Sequence, residues 1–561
     1  MLFIVFIIFF HPINAITQDL GRHLLTGKII LESKNVPKMN LYSYTNTNFP
    51  FINTHWLSEV IYYLLFKTLN FSGLLFISTI TAILAFAIIL IYALLRFNIF
   101  ICAFASLLYF QIMLERTDIR PEIFSFLFIS IFIVILYLNR YKKTKLLFLL
   151  IPIEALWVNM HIYFAIGIVL LFIFITEQLF INRKRLWQSN KQLIIVTTLC
   201  CLATLLNPWG IKGALYPLNV FSNYGYSIEE NQSIFFLNGL YLSFHSYTII
   251  FLVTTAILLF IFIILIPKKQ NLLNFFLLIV FVVGASEAVR NLPLFVFATY
   301  IAFCESLDRL LKTRFNDIKL NTKWQIAVIL LLLFFSFLSV KSVIARNGFG
   351  TGFPSNADKG VNFFLSNNLK GPIFNNFDIG SYLEYRLYPK YKVFVDGRPE
   401  AYPSSFFQNI YIPIQENPEL FNSEDGKYHF STIFFSHTDA TPWAQQFLAY
   451  ILRTNDWKLV YLDSYSIILV RNSSANRPLI KNVITDSSFQ LPDNLSQKDL
   501  MQYISFFQEV NWQSQEKNAL IKLLKIDPNN CQALTILDSL LQEANDPMYA
   551  IYQQKTSFSC Q

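Results

Sequence analysis

Charge is scarce in this chain. Asp, Glu, Lys and Arg supply only 14% of its 561 residues, against 54% hydrophobic residues and 58 Phe. That shortage excludes a soluble globule, whose charged share is roughly a quarter. No Gly-rich loop of the P-loop type occurs, so a nucleoside triphosphate has no recognisable seat. No His/Cys pair stands at ligand spacing. Carboxylates alone suit Mg or Mn weakly, so no cofactor is expected and no residue is assigned to a metal. Beyond residue 343 no stretch is apolar enough to cross a bilayer.

What remains is a series of apolar runs. A spanning helix needs about 20 apolar residues to cross the roughly 30 Å hydrocarbon layer. Runs near 2–16, 73–95, 97–114, 121–139, 146–160, 162–181, 193–207, 246–266, 271–286, 290–305 and 324–342 predict a polytopic α-helical protein of about eleven spans. With the N-terminus inside, the inner connections hold Arg96, Arg140 to Lys145, Arg183-Lys184-Arg185 with Lys191, Lys268-Lys269, and the run from Arg309 to Lys323. Basic loops stay in the cytoplasm, so every cluster agrees with one orientation. The net charge of +9 then follows from topology, and no nucleic-acid partner is needed. The run ending Ile13-Asn14-Ala15 also reads as a cleavable signal peptide, although it lacks a basic n-region; either way residue 17 onward lies outside.

The spans fill residues 1–342, with a large first outer loop at 17–72. Residues 343–475 read as an outward-facing α/β domain. Its strands are expected at Pro372-Ile-Phe-Asn, Lys392-Val-Phe-Val-Asp, Thr432-Ile-Phe-Phe, Leu459-Val-Tyr-Leu and Ser466-Ile-Ile-Leu-Val, and its helices at 357–369, 380–388, 404–416 and 442–455. Residues 492–561 read as a helical tail resembling one or two degenerate tetratricopeptide repeats, a surface suited to a protein partner.

The unusual ionisable residues gather on the outer side. In the first loop, Asp19 and His23 are four apart, so a helix would place them on one face with Arg22 beside them. His55-Trp56-Leu-Ser-Glu59 follows, opening an amphipathic stretch at 55–70 expected to lie along the interface. A carboxylate and an imidazole just above the lipid are placed to deprotonate a soluble acceptor attacking a lipid-borne group; helix capping by Asp19 and headgroup packing by His23 are the structural alternative. Arg116, Asp118, Arg120 and Glu122 crowd one short turn, Asn159 and His161 end another span, and Glu287 and Arg290 stand near a third. Ionisable groups at such depths face one another or a water-filled cavity. The planar guanidinium fork binds two oxygens at once, so Arg116, Arg120 and Arg290 are expected to clamp a phosphate. Asp19, His23 and Glu59 are expected to act in catalysis, with Arg22, His55, Asn159, His161 and Glu287 in support. Structural pairing of Glu287 with Arg290 is the alternative there.

The loop with Asp19, His23 and Gly27, Pro37 with Ser43-Tyr44-Thr45, His55 to Glu59, Arg120-Pro121, Leu156 to His161, Asn207-Pro208-Trp209-Gly210 and Arg290 to Leu294 resemble a family of bacterial polytopic proteins of glycosyltransferase-C-like architecture. The likeness continues through Asn375 to Tyr382 and Val393 to Arg398, covering 17–472. It implies a multi-pass protein of the bacterial inner membrane with its C-terminal domain in the periplasm. It also implies transfer of a sugar from a polyprenyl-phosphate donor to a periplasmic acceptor, with Asp19 in the place of the catalytic acidic residue. Mannosyltransferase members carry adjacent acidic residues there, whereas Leu20 follows Asp19 here. The rival reading is a noncatalytic transporter of lipid-linked saccharide, or an assembly factor or scaffold; the absence of paired inverted repeats with broken midplane helices counts against transport.

Asp396-Gly397-Arg398 follows an expected strand and reads first as a turn, with Arg398 pairing Asp378 or Glu400. Cys531 and Cys560 are the two cysteines beyond the spans. In an oxidising compartment they are expected to form a disulfide across two antiparallel helices.

Overall fold

The computed structural model describes all residues except 14–18, 115, 183–185, 220–223, 242–245, 266–271, 315–321, 354–357 and 561. The end of the first expected span, Glu115, Arg183-Lys184-Arg185, Lys268-Lys269 and much of the run from Arg309 to Lys323 lie outside the described residues.

The first half is helical: α1 (Leu2–Phe9), α2 (Gly21–Ser33), α3 (Trp56–Leu94), α4 (Ile99–Met113), α5 (Glu122–Tyr141), α6 (Leu150–Trp157), α7 (Phe164–Asn182), α8 (Leu186–Ala203), α9 (Ser246–Leu265), α10 (Leu272–Glu287), α11 (Leu292–Arg314) and α12 (Thr322–Asn347). Among the described residues three helices, α3, α5 and α7, are long and apolar enough to cross a membrane, and shorter apolar helices pack beside them. These helices are apolar nearly all round, as lipid exposure on one side and burial on the other require, and α1, α3, α4, α5, α7, α10 and α11 share one core.

Two expectations are corrected here. The first helix ends at Phe9, not near 16, because His11-Pro12 follows and the residue before a proline avoids helical backbone. At eight residues it covers about 12 Å, less than the hydrocarbon layer. The stretch at 55–70 and the span at 73–95 form one helix, α3, kinked at Asn70, whose φ is 58°.

The α/β domain has α13 (Asp358–Ser366), β1 (Ile373–Asn375), α14 (Phe377–Leu387), α15 (Pro418–Tyr428), β2 (Thr432–Ser436), α16 (Pro442–Ile451), β3 (Trp457–Leu462) and β4 (Ser466–Arg471). The sheet order is β1-β2-β4-β3, with β1 parallel to β2 and the other pairs antiparallel. Lys392 to Asp396 is not one of its strands. Val393 instead bridges Ser43 of the first loop, and its N–H and carbonyl bond Tyr42 and Tyr44, so this segment fastens the loop to the domain. The expected helix at 404–416 is broken into Ser404–Phe406, a wide turn at Phe407–Tyr411, and Pro413–Glu416. In Asp396-Gly397-Arg398 the Arg398 N–H donates to the Asp396 carboxylate, as in a turn, and the side-chain partner of Arg398 is Asp396 itself, at 2.8 and 2.7 Å, in place of Asp378 or Glu400. Arg398 also reaches Asn40 at 3.0 Å and lies over the rings of Tyr42 and Phe51.

Among the described residues the tail forms α17 (Gln497–Val510), α18 (Gln513–Ile526), α19 (Cys531–Glu543) and α20 (Tyr549–Ser559). Its buried Leu500, Phe507, Leu520 and Leu537 join Phe374, Phe435 and Leu469 of the α/β domain in one core. Cys531 and Cys560 are disulfide-bonded, with Cα atoms 5.4 Å apart.

Candidate active site

A cavity of about 730 Å³ lies where the membrane helices meet the α/β domain. Its lining draws Asp19, Arg22, His23 and His55 from the first loop, Arg116 and Arg120 from the turn before α5, Glu122 from the start of α5, and His161 and Arg290 from two further helix ends. Tyr226 to Glu230 supply one wall, while Asp378, Glu400 and Asp439 of the α/β domain and Lys498 and Gln502 of the tail close the cavity from above.

Helix α2 can bring His23 here because Gly27 lets α2 lie against α3. A Cβ at Gly27 would come within 2.0 Å of the Glu59 carbonyl oxygen. That approach puts the fully buried Glu59 carboxylate 2.9 Å from His23 Nδ1, while Asn53 donates to its other oxygen at 2.5 Å. With Nδ1 donating to the carboxylate, Nε2 is the nitrogen left for a ligand. Burial, reinforced by Arg22, holds His23 below its ordinary pKa despite Glu59 and so favours the neutral imidazole.

Asp19 pairs with Arg22 at 3.3 Å and with Arg120 at 2.9 Å. Burial opposes its charge, but Arg120, Arg22 and His23 together outweigh burial and hold the carboxyl well below the usual range. Arg116 donates to both oxygens of Glu122, at 2.8 and 3.0 Å. Arg290 donates to Asn231 at 2.9 Å and to the Tyr163 hydroxyl at 3.2 Å.

Among the supporting residues, Arg22, His55 and His161 line the cavity, with the His55 ring 5.8 Å from His23 and 5.1 Å from His161. Asn159 is outside it. Its oxygen accepts from the Trp56 indole at 2.9 Å and its amide donates to two carbonyls, so it fastens α3 to the end of α6. Glu287 is an exposed residue at the end of α10, neither lining the cavity nor bonded to Arg290. Glu59 is also outside the lining, behind His23. Among the described residues no three His, Cys, Asp or Glu side chains converge to hold a metal ion.

Sequence reasoning missed Glu230, which meets both Arg116 and Arg120, and the carboxyls descending from the α/β domain. Glu229-Glu230 was visible as an acidic doublet between apolar runs, and an acidic doublet there was the signal that could have singled it out. Asp378 is pushed up to about 8 by burial and then by Asp439 and Glu229.

The architecture has known counterparts. The archaeal oligosaccharyltransferase AglB from Archaeoglobus fulgidus, in complex with an inhibitory peptide and a dolichol-phosphate, matches with a TM-score of 0.55 at 13% identity, covering 92% of this chain and 82% of that one. The apo form of the Archaeoglobus fulgidus oligosaccharyltransferase matches at 0.50 and 13% identity, over 80% of this chain and 69% of that one. ArnT from Cupriavidus metallidurans bound to undecaprenyl phosphate matches at 0.49 and 11% identity, over 84% and 97%. The chain has a glycosyltransferase-C-like fold. No family model and no curated protein matches it. At these identities the likeness is one of fold, and it agrees with the expectation drawn from the motifs.

Proposed function

We propose that this chain is a membrane glycosyltransferase that moves a sugar from a polyprenyl-phosphate donor to an acceptor on the outer, periplasmic face of a bacterial inner membrane. The observation that carries the reading is the convergence of Asp19, His23, Arg116, Arg120 and Arg290 on one cavity at the mouth of the membrane helices. The fold supports it, since AglB has been captured with a dolichol-phosphate and an inhibitory peptide.

In this mechanism Arg116, Arg120 and Arg290 hold the donor phosphate and stabilise the charge it gains as the sugar leaves, an effect strengthened in a water-poor site. Asp19 and His23 share the proton of the acceptor. A base works best when its pKa lies near the working pH, and Asp19 is held far below by its arginines. The donor phosphate, sharing Arg120 with Asp19, would weaken the hold of Arg120 on the carboxylate and let Asp19 accept the proton, and His23, oriented by Glu59, presents Nε2 to the same cavity. The acceptor enters from the side of the α/β domain, whose residues Asp378, Glu400 and Asp439 face the same cavity.

The test is mass spectrometry of lipid-linked sugars in a strain lacking the protein, with return of the wild-type chain or of Asp19→Asn. A polyprenyl-linked sugar should accumulate in the deletion, disappear with the wild-type chain and persist with the variant. Equal clearance by Asp19→Asn would remove the catalytic role.

A further inference from the structure

Glu230 stands in an unusual position for an acidic residue. Its Oε1 is 2.7 Å from Arg116 Nη1 and 2.8 Å from Arg120 Nη2, and its Oε2 accepts from Arg120 Nη1 at 3.0 Å. Two guanidiniums converging on the oxygens of one carboxylate is the arrangement that also seats a phosphate. Neither arginine depends on Glu230 for a counter-charge, because Arg116 has Glu122 at 2.8 Å and Arg120 has Asp19 at 2.9 Å. The segment that carries Glu230 is tied at both ends. On one side the Tyr226 ring stacks on Phe377 at 4.3 Å and abuts Phe407 and Trp443 of the α/β domain. On the other, Asn231 accepts from Arg290 at 2.9 Å and the Gln232 carbonyl accepts from the Val289 N–H at 3.1 Å.

We propose that Glu230 is a built-in competitor for the phosphate seat. Its carboxylate holds the place between Arg116 and Arg120 that the lipid phosphate takes, so Glu230 sets the affinity of the site for that anion. The inference rests on the reading above that these arginines bind the donor phosphate. Binding then requires the segment from Tyr226 to Gln232 to shift, and the carboxylate's return helps expel the polyprenyl phosphate left after transfer. A site whose open form is the minor one binds more weakly by the fraction that is open, and removal of the internal anion lifts that restraint.

The experiment measures binding of undecaprenyl phosphate to the full-length protein in lipid nanodiscs. Glu230→Gln should bind it about tenfold more tightly than wild type, the gain expected if about one molecule in ten is open at rest. Tyr226→Ala keeps the charge but loosens the segment; it should also bind more tightly, and it carries the test should Glu230→Gln fold poorly. Arg116→Gln and Arg120→Gln should each bind more weakly. Unchanged or weaker binding by Glu230→Gln, with both arginine variants impaired, would show that Glu230 positions the arginines and would overturn the proposal while leaving the functional reading intact. Wild-type binding by both arginine variants would overturn the functional reading as well. Inorganic phosphate as a second probe separates a lipid-borne anion from a free one, and a gain confined to inorganic phosphate overturns the proposal.

Discussion

Glu59 lies one side chain away from the cavity. Its carboxylate receives His23 Nδ1 and the Asn53 amide, a division of labour like that of the carboxylate behind the histidine in a hydrolase triad. Glu59→Gln is nearly isosteric, and its amide leaves His23 free to reverse its tautomer. We expect it to lower kcat with KM for the donor little changed, since the phosphate seat does not include it; an increase in KM alone would assign Glu59 to binding. Asp19→Asn should cost more. Proton transfer by a positioned group is worth roughly a hundred- to ten-thousandfold, and a turnover assay with the purified, folded protein should show a loss in that range, at a temperature below any midpoint lowered by loss of the pairs with Arg22 and Arg120. Activity retained in Asp19→Asn but lost in His23→Gln would move the base to the imidazole.

At the scale of elements, two contacts position the site. The first is the approach of α2 to α3 at Gly27, where a methyl group would meet the Glu59 carbonyl. Overpacking of this kind costs about 1–3 kcal/mol, so Gly27→Ala should lower the melting temperature and impair activity together; an intact, fully active variant would mean that the helices can part without cost. The second is the junction of the α/β domain with the tail, where Asp378 and Glu509 are each pushed up to about 8, by burial first and then by Asp439. Below the ordinary carboxylate range both groups are protonated in the folded and unfolded chain alike. Between that range and about pH 8 the folded chain keeps protons that the unfolded chain has released, so stability falls as pH rises through this window. Thermal melts of the full-length protein should therefore drop from about pH 5 to about pH 8.5, and Asp378→Asn should flatten the slope. An identical slope in that variant would clear Asp378 of the effect. In the tail, the Cys531–Cys560 bridge spans 29 positions and is expected to contribute roughly 3–4 kcal/mol by restricting the unfolded chain. Because the tail shares its core with the α/β domain, reduction should lower the melting of both, as read by protease resistance with and without a reductant.

For the whole molecule, the basic-loop asymmetry predicts that a reporter fused after residue 143 is cytoplasmic and one fused after residue 472 lies on the opposite side. A cytoplasmic signal from both would place the cavity on the wrong face for a periplasmic acceptor. The order of parts, apolar helices followed by an α/β domain and a helical tail, was legible in the sequence because hydrophobic runs and their interruption are local properties. So were Asp19, Arg22, His23, His55, Arg116, Arg120, His161 and Arg290, since ionisable residues stand out wherever burial makes charge costly. The misplacements were non-local. Lys392 to Asp396 has the composition of a strand but pairs with a loop some 350 positions earlier in the chain, and hydropathy cannot choose between two edges. Asn159 and Glu287 carry suitable chemistry, yet the bonding of Asn159 to the start of α3 and the exposed end of α10 keep them out of the cavity lining. Glu59 and Glu230 were separated only by folding: one carboxylate was buried behind His23, and the other was carried across 110 positions to meet Arg120. Sequence alone determined which residues had to seek partners, because the desolvation of a charge depends on its apolar surroundings along the chain. Which acid meets which arginine was decided by the tertiary structure alone, since Coulomb attraction acts through space and is set by how distant segments are brought together.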